Sequence, residues 1–486
     1  MVQKNLHILL QNIPVISITG TSEIVIEGIQ TDSRAVAKNM LFVAQNGVAV
    51  NGHDFIDDAI QKGASAIVCE KLPQHLHETC CYILVENSQK TSGDLLARFY
   101  AIDFSTFSVI GITGTNGKTT TVTLLYKLFS QLGYTCGLIS TVRNIIGVEE
   151  IEATHTTPNA VQLFELFGRM VDAGCSYCFM EVSSHAIDQQ RIAGITFRGA
   201  IFSNLTQDHL DYHKTFAEYI RAKKSFFDAL PESAFALTNN DDKNGMVMLQ
   251  NSHAHKYTYS LKSYSDFKTK VLETHSDGML LSVEKSEVWT NFLGVFNAYN
   301  ILAVYATAII LGESHDAILQ ILSTIKPADG RMEFFKSAEG KTAIVDYAHT
   351  PDALENILRT LRKQCSDSMR LITVVGAGGN RDKTKRPIMG NIAATLSDML
   401  IVTADNPRYE NPQDIANDMI AGIGSEYTDK VLCILQREEA IKTALMLAKK
   451  SDLVVVAGKG HETYQEIQGV KHHFDDREVI KKIFNL

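Results

Sequence analysis

The run Gly111-Ile112-Thr113-Gly114-Thr115-Asn116-Gly117-Lys118-Thr119-Thr120 holds the residue types that bind a nucleotide triphosphate. Glycines let backbone N–H groups turn inward onto phosphate oxygens, and a helix N-terminus adds positive potential. Lys118 would place a point charge on the outer phosphates, and the Thr119 hydroxyl would ligate magnesium. Gly114, Thr115, Asn116, Gly117 and Thr120 complete the cradle. The usual phosphate loop carries a glycine at position 112, where this chain has Ile112.

Other chemistry-bearing residues follow. Glu181, in Met180-Glu181-Val182-Ser183-Ser184-His185, is a carboxylate suited to a magnesium ion on nucleotide phosphates; equally, Ser183 or Ser184 caps the next turn. The run 203–213 crowds Asp208, His209, Asp211 and His213, yet its spacing matches no zinc signature. Lys223-Lys224 reads by itself as a solvated helix face. Asn297 could cap a long apolar helix, whereas Asn300, one turn in, has a donor and an acceptor able to read a purine edge. Asp405-Asn406-Pro407-Arg408 puts a guanidinium, the natural two-pronged partner of a carboxylate, on a loop after a strand. Val375-Gly376-Ala377-Gly378-Gly379-Asn380 lacks the third glycine of a dinucleotide fingerprint, which argues against a nicotinamide site.

The elements that position these groups are strand–helix alternations. An apolar strand over 107–112 precedes the glycine run, and a helix over 119–132 follows, with Gly133 as its stop. Strands over 134–139 and 177–182 bracket a helix begun by Thr157-Pro158 and ended by Gly174. Further strands are expected over 200–203 and 234–237, then an antiparallel-looking stretch over about 252–290 and a helix over 298–311. A second alternating series has strands over 343–346, 371–375, 399–403, 431–435 and 453–457. Such patterns imply mostly parallel sheets, with ligands beyond the strands' carboxyl ends. Before the glycine run lie short strands over 24–26, 40–44, 66–69 and 82–85 and a helix ending near Tyr100. The expectation is α/β, with three domains at 1–104, 105–330 and 331–486.

At 486 residues the chain is too long for one core. A net charge of −9 gives no support to a nucleic-acid partner. Eight scattered cysteines suit reduced thiols, and the Cys175/Cys178 spacing has no second pair to make a zinc site. The N-terminal apolar run is too short for a signal peptide and no segment reaches membrane-spanning length, so a cytoplasmic protein acting away from membranes is expected.

The segments GTNGKTT, MEVSSH, SNLTQDHLDYH, LGVFNAYN, GRME, VDYAHTPD and GKGHE resemble, in this order and across nearly the whole chain, those of the Mur ligases. That resemblance implies a domain for a uridine-linked substrate, a central ATPase and a C-terminal dinucleotide-fold-like domain for the incoming amino acid. It implies ligation through an acyl phosphate in peptidoglycan precursor synthesis, with ATP and magnesium as requirements and a monomer as the working unit. Among site residues it implies Lys118 and Thr119 on ATP and the first magnesium, with Glu181. His209 and Lys223, the latter as a carbamate, would hold a second magnesium. Asn300, Arg331 and Asp346 would contact the nucleotide. Ser33, in Thr31-Asp32-Ser33-Arg34, would meet the uridine-linked substrate, and Thr156, Thr157, Ser183, Gln189 and Arg191 its sugar-peptide part. Arg381, Asp405, Asn406, Pro407, Arg408, Gly458 and Glu462 would form the amino-acid pocket. In this family DNPR resembles the version selecting meso-diaminopimelate, for addition to UDP-MurNAc-L-Ala-D-Glu. An L-lysine-adding member or a folylpolyglutamate synthase-like ligase are the nearer alternatives, and a nucleotide-gated binding protein or motor the more distant one.

Overall fold

Strand–helix alternation folds into three successive sheets in the computed structural model, which describes residues 3–47, 50–275, 277–366 and 368–486. The first sheet has five strands in the order Ser17–Thr19, Cys81–Leu84, Ala64–Cys69, Met40–Val43, Gly28–Gln30, all parallel except the Ser17–Thr19 edge. The second has eleven. Its centre is a parallel run of Cys136–Ile139, Tyr177–Glu181, Ser108–Thr113, Phe197–Phe202, Phe235–Asn239 and His255–Ser260. The third has six, with Thr342–Asp346, Leu453–Ala457, Leu371–Val375, Met399–Val402 and Val431–Cys433 parallel and Glu333–Lys336 antiparallel at one edge.

Strands buried on both faces read as continuous apolar runs, which is why Ser108–Thr113, Leu371–Val375 and Leu453–Ala457 are legible in the sequence. Their carboxyl ends deliver the glycine loop, the Gly376–Gly379 turn and Gly458 to one cleft.

The helix after the glycine loop spans Lys118–Gln131 and ends as Gly133 turns left-handed at φ 99°. It packs on Val295–Ile310, a helix apolar on almost every face because it also lies across the strands of the central sheet. Phe129 of the first helix, fully buried against Tyr177 and Phe179 of the sheet, would cost about 3–5 kcal/mol if cut to alanine.

Two local expectations change. The long helix begins at Val295, so Asn297 lies inside it: its amide donates back to the Leu293 carbonyl at 2.8 Å and it is no cap. In the 252–290 stretch His255–Ser260 joins the sheet parallel, and only Phe267–Thr274, Met279–Val283 and Ser286–Thr290 make the antiparallel meander. Gly111 lies inside the Ser108–Thr113 strand, as the apolar run over 107–112 implies, and a Cβ there would lie within 3 Å of Phe226, Phe197 and Val182.

The first two sheets share one apolar cluster, in which Leu95, Leu96 and Phe99 meet Phe107, Phe164 and Phe167. Central and C-terminal sheets meet through polar contacts at the cleft: Asn116 Nδ2 donates to Asp352 Oδ2 at 2.8 Å, and Arg331 donates to the Thr119 hydroxyl at 3.0 Å.

Candidate active site

A cavity of about 640 Å³ opens between the central and C-terminal sheets. Its central-domain wall carries the glycine loop from Gly114 to Thr120, with Glu181, Ser183, His209, Lys223 and Asn300. From the C-terminal side come Arg331, Asp346, Arg381, Asp405, Asn406, Arg408, Gly458 and Glu462.

The loop's shape is set by contacts that only small residues allow. Gly117 has φ 86°, and a Cβ there would lie 2.5 Å from Asn300 Oδ1, so loop and long helix approach at that point. The Asn300 amide donates to Asn297 Oδ1 at 3.0 Å, which fixes its orientation beside the loop. The Ser203 hydroxyl and Asn204 amide both donate to the Asn116 carbonyl, tying the loop to the next strand end.

Two lysines converge beneath the loop. Lys118 Nζ donates to the Gly114 and Thr115 carbonyls at 2.9 and 2.8 Å, and Lys223 Nζ donates to Gly114 O at 3.0 Å and Thr113 Oγ1 at 3.2 Å. The solvated-face reading of Lys223 is corrected: it is 1% exposed, on the inner face of Phe216–Asp228, while Lys224 takes the outer face and pairs with Asp228. Burial pushes the Lys223 amine well below the usual lysine range, with Lys118 adding to the shift. Lys118 is lowered too, by burial, against the pull of Glu181 and Asp208.

Glu181 ends its strand almost fully buried. It accepts from the Thr119 hydroxyl at 2.8 Å and from the Thr141 backbone and hydroxyl. Ser183 also caps the following turn, accepting from Ala186 N, so the capping reading holds beside the carboxylate. Burial holds the His209 imidazole well below its usual range, keeping it neutral beside Asp208. These donors fit a hydrated magnesium ion that completes its shell with phosphate oxygens. Among the described residues no cluster of three or more His, Cys, Asp or Glu could hold a metal ion by itself.

Arg331 stacks 4.5 Å from the Tyr347 ring centroid, and its buried Nε has no partner among the described residues. Asp346 accepts from the backbone of Met332 and Ala348, both at 2.8 Å, and burial raises its carboxyl.

The acceptor side is organised by one hairpin, Tyr464–Ile467 and Val470–His473. Asn406 Oδ1 accepts from Glu466 N, Gln465 donates to the Asp405 carbonyl, and Arg408 N donates to Glu466 O. Arg408, at φ 51°, is turned inward, so a solvent-facing reading of its guanidinium does not apply. Pro407 is buried behind Gly379 and does not face the cleft. Arg381 is exposed at the cleft rim and has no hydrogen bond or ion pair among the described residues. Glu462 accepts from Asn406 at 2.7 Å and from Lys459 at 2.9 Å, and burial raises its carboxyl against that lysine.

Some predicted residues lie elsewhere. Thr156 and Ser183 line the cavity, but Thr157, Gln189 and Arg191 sit behind it as a small network. Arg191 donates to Gln189 and to the Thr157 carbonyl, and Thr157 donates to the Glu181 carbonyl. Ser33 is outside the cavity, buried at the start of a 3-10 turn that Asp32 caps. Asp352 and Lys459 are not singled out by sequence spacing, yet Asp352 lines the cavity and accepts from Asn116, and Lys459, fully buried behind it, donates to Glu462.

A glycine-rich loop and a charged wall face each other across one cleft, and the chain belongs to the Mur ligase family, a family of ATP-dependent ligases. The family description "Mur ligase family, catalytic domain" matches residues 25–100, "Mur ligase middle domain" 112–308 and "Mur ligase, glutamate ligase domain" 330–460. Among its relatives is the UDP-N-acetylmuramoyl-L-alanyl-D-glutamate–2,6-diaminopimelate ligase of Parabacteroides distasonis, 54% identical over 96% of both chains. The enzyme of that name from Bacteroides fragilis is 54% identical over 98% of this chain and 99% of its own. A solved structure with the same name superposes with a TM-score of 0.68, at 32% identity and 95% coverage of each chain.

Proposed function

We propose that the chain joins meso-diaminopimelate to UDP-MurNAc-L-Ala-D-Glu at the expense of ATP, through an acyl phosphate. The observation that carries this reading is one shared cavity, lined both by the Gly114–Thr120 loop and by Arg381, Asp405 and Arg408. A motor or nucleotide-gated binder needs no such acceptor wall.

In this reading residues 1–104 bind the uridine-linked substrate around Ser33, 105–330 bind ATP and 331–486 bind the amino acid. Backbone N–H groups of the loop and Lys118 hold the ATP phosphates, with Asn300 and Asp346 toward the nucleoside and Arg331 toward the terminal phosphate. Thr119, Glu181, His209 and a carbamylated Lys223 would hold magnesium, whose charge neutralises the phosphoryl group in transfer. Carbamylation needs a neutral amine, and burial of Lys223 beside Lys118 shifts the balance toward that form. The neutral amine adds carbon dioxide and loses a proton, which puts an anionic oxygen donor at that position.

Thr156 and Ser183 line the passage for the glutamate end of the substrate, and Thr157, Gln189 and Arg191 brace that wall. On the acceptor side Arg408 and Arg381 would grip the distal carboxylate of diaminopimelate, and Glu462 and Asp405 its ammonium. L-Lysine lacks that carboxylate, which disfavours the lysine-adding alternative. The protein is read as a cytoplasmic monomer; no helix among the described residues is long and apolar enough to cross a membrane.

The direct test measures phosphate release with ATP, magnesium and UDP-MurNAc-L-Ala-D-Glu, offering meso-diaminopimelate, L-lysine or no acceptor. Release dependent on diaminopimelate is expected. Equal release without acceptor would point to a nucleotide-gated protein, and dependence on L-lysine to the other ligase.

A further inference from the structure

Most cationic side chains around the cleft are already engaged. Lys118 and Lys223 donate to loop carbonyls, Arg331 to Thr119, Arg408 to Glu466 and Lys459 to Glu462. Lys385 is different. It is 7% exposed, lines the cavity, and makes no hydrogen bond among the described residues. Its nearest carboxylate oxygen, Asp208 Oδ1, lies 3.9 Å away, beyond hydrogen-bond reach. That same oxygen already accepts the His209 backbone N–H at 2.9 Å. A buried ammonium with unspent donors is costly unless a ligand supplies acceptors.

Its place in the fold narrows the ligand. Lys385 opens the helix Lys385–Leu396, whose N-terminal end adds positive potential at the same point. Thr384, just before it, accepts from Gln207 across the seam between the two sheets. The ammonium therefore lies where the phosphate-side groups, represented by His209, meet the acceptor-side groups, represented by Arg381. An anion bridging both halves, not one confined to either, fits that position.

We propose that Lys385 is a catalytic residue whose Nζ donates to the acyl-phosphate oxygens and to the oxyanion formed when the amine attacks. This rests on the ligase reading above. The amine, having lost one proton to solvent, uses its lone pair to form the C–N bond, and the carbonyl π pair moves to oxygen. That oxyanion collapses, the C–O bond to phosphate breaks, and phosphate leaves with the bonding pair. The nitrogen gives up a second proton, which ends on the phosphate. Negative charge grows on the carbonyl oxygen and then on the departing phosphate, both within the compass of one ammonium. Because the C-terminal domain carries Lys385, this charge arrives only when the cleft is formed.

The test uses the full-length Lys385→Met and Lys385→Arg variants in steady-state ligation and in rapid-quench measurement of ADP formed on the first turnover. For Lys385→Met turnover should fall about 100-fold, as when one oxyanion donor is removed. KM for ATP and diaminopimelate should stay within about threefold, and the first-turnover ADP should persist, because acyl phosphate still forms. Lys385→Arg, which keeps the charge, should recover about tenfold over Lys385→Met. Turnover of Lys385→Met within threefold of the parent overturns the proposal. So does equal loss in both variants, or a fall in melting temperature with both KM values rising, which would mark a structural anchor. Failure of the parent protein to ligate would instead overturn the functional reading.

Discussion

Lys118 and Lys223 share one acceptor, the Gly114 carbonyl oxygen, at 2.9 and 3.0 Å. Two ammonium groups on one oxygen repel, and with both buried the cheaper state has one amine neutral. Lys223, the more deeply enclosed, is the one pushed furthest down.

Lys223→Ala should therefore abolish ligation, by at least about 100-fold, while ATP binding changes little. Ligation assays and titration with a fluorescent ATP analogue check both halves. A fully active Lys223→Ala protein would sink the assignment.

Arg408 Nε donates to Glu466 Oε2 at 3.1 Å, and its terminal Nη1 donates to the Gly379 carbonyl at 2.8 Å. Those bonds fix the plane of the guanidinium. Arg408→Ala should lose diaminopimelate use. Glu466→Ala, which keeps the cation but frees its orientation, should raise KM for diaminopimelate about tenfold, roughly 1.4 kcal/mol, with KM for ATP unchanged. Unaltered kinetics in Glu466→Ala would show that the hairpin does not orient the clamp.

The Asn116–Asp352 hydrogen bond links the phosphate loop directly to the C-terminal domain. Asn116→Ala removes it and leaves a part-buried carboxylate without that donor. The expected outcome is a larger radius of gyration in solution scattering, with turnover reduced about tenfold at roughly 1–2 kcal/mol. Identical scattering from both proteins would show that this contact does not hold the cleft closed.

Acid should destabilise the protein through histidines in the C-terminal domain. Burial, reinforced by Lys385, lowers His349 to about 4, and burial beside Arg331 lowers His461 to about 3. Above an unfolded value of about 6.5 neither state binds a proton at these sites. As pH falls below it, the unfolded chain takes up protons that the folded chain refuses. Stability then drops by at most about 1.4 kcal/mol per pH unit for each histidine, until the folded values are reached. Melting temperature should fall from pH 7 to pH 5, and His349→Asn should flatten that slope. A slope unchanged by His349→Asn would assign the effect to other groups.

The sequence by itself determined the strand–loop–helix around Lys118, because glycines, an apolar strand and a helix start are local signals. It also determined the buried strands Leu371–Val375 and Leu453–Ala457, whose apolar runs name their environment. Glu181 at a strand end and Arg408 after another could likewise be located from pattern alone. Tertiary structure decided which of two adjacent lysines is buried, because a shift of one residue turns a helical side chain by about 100° and the neighbouring sheet selects the face. It decided that Asn297 is an internal helix residue, that Ser33 lies outside the main cavity, and that Lys385 faces Asp208. Those relations join residues far apart in the chain, and local periodicity carries no record of which surfaces will meet.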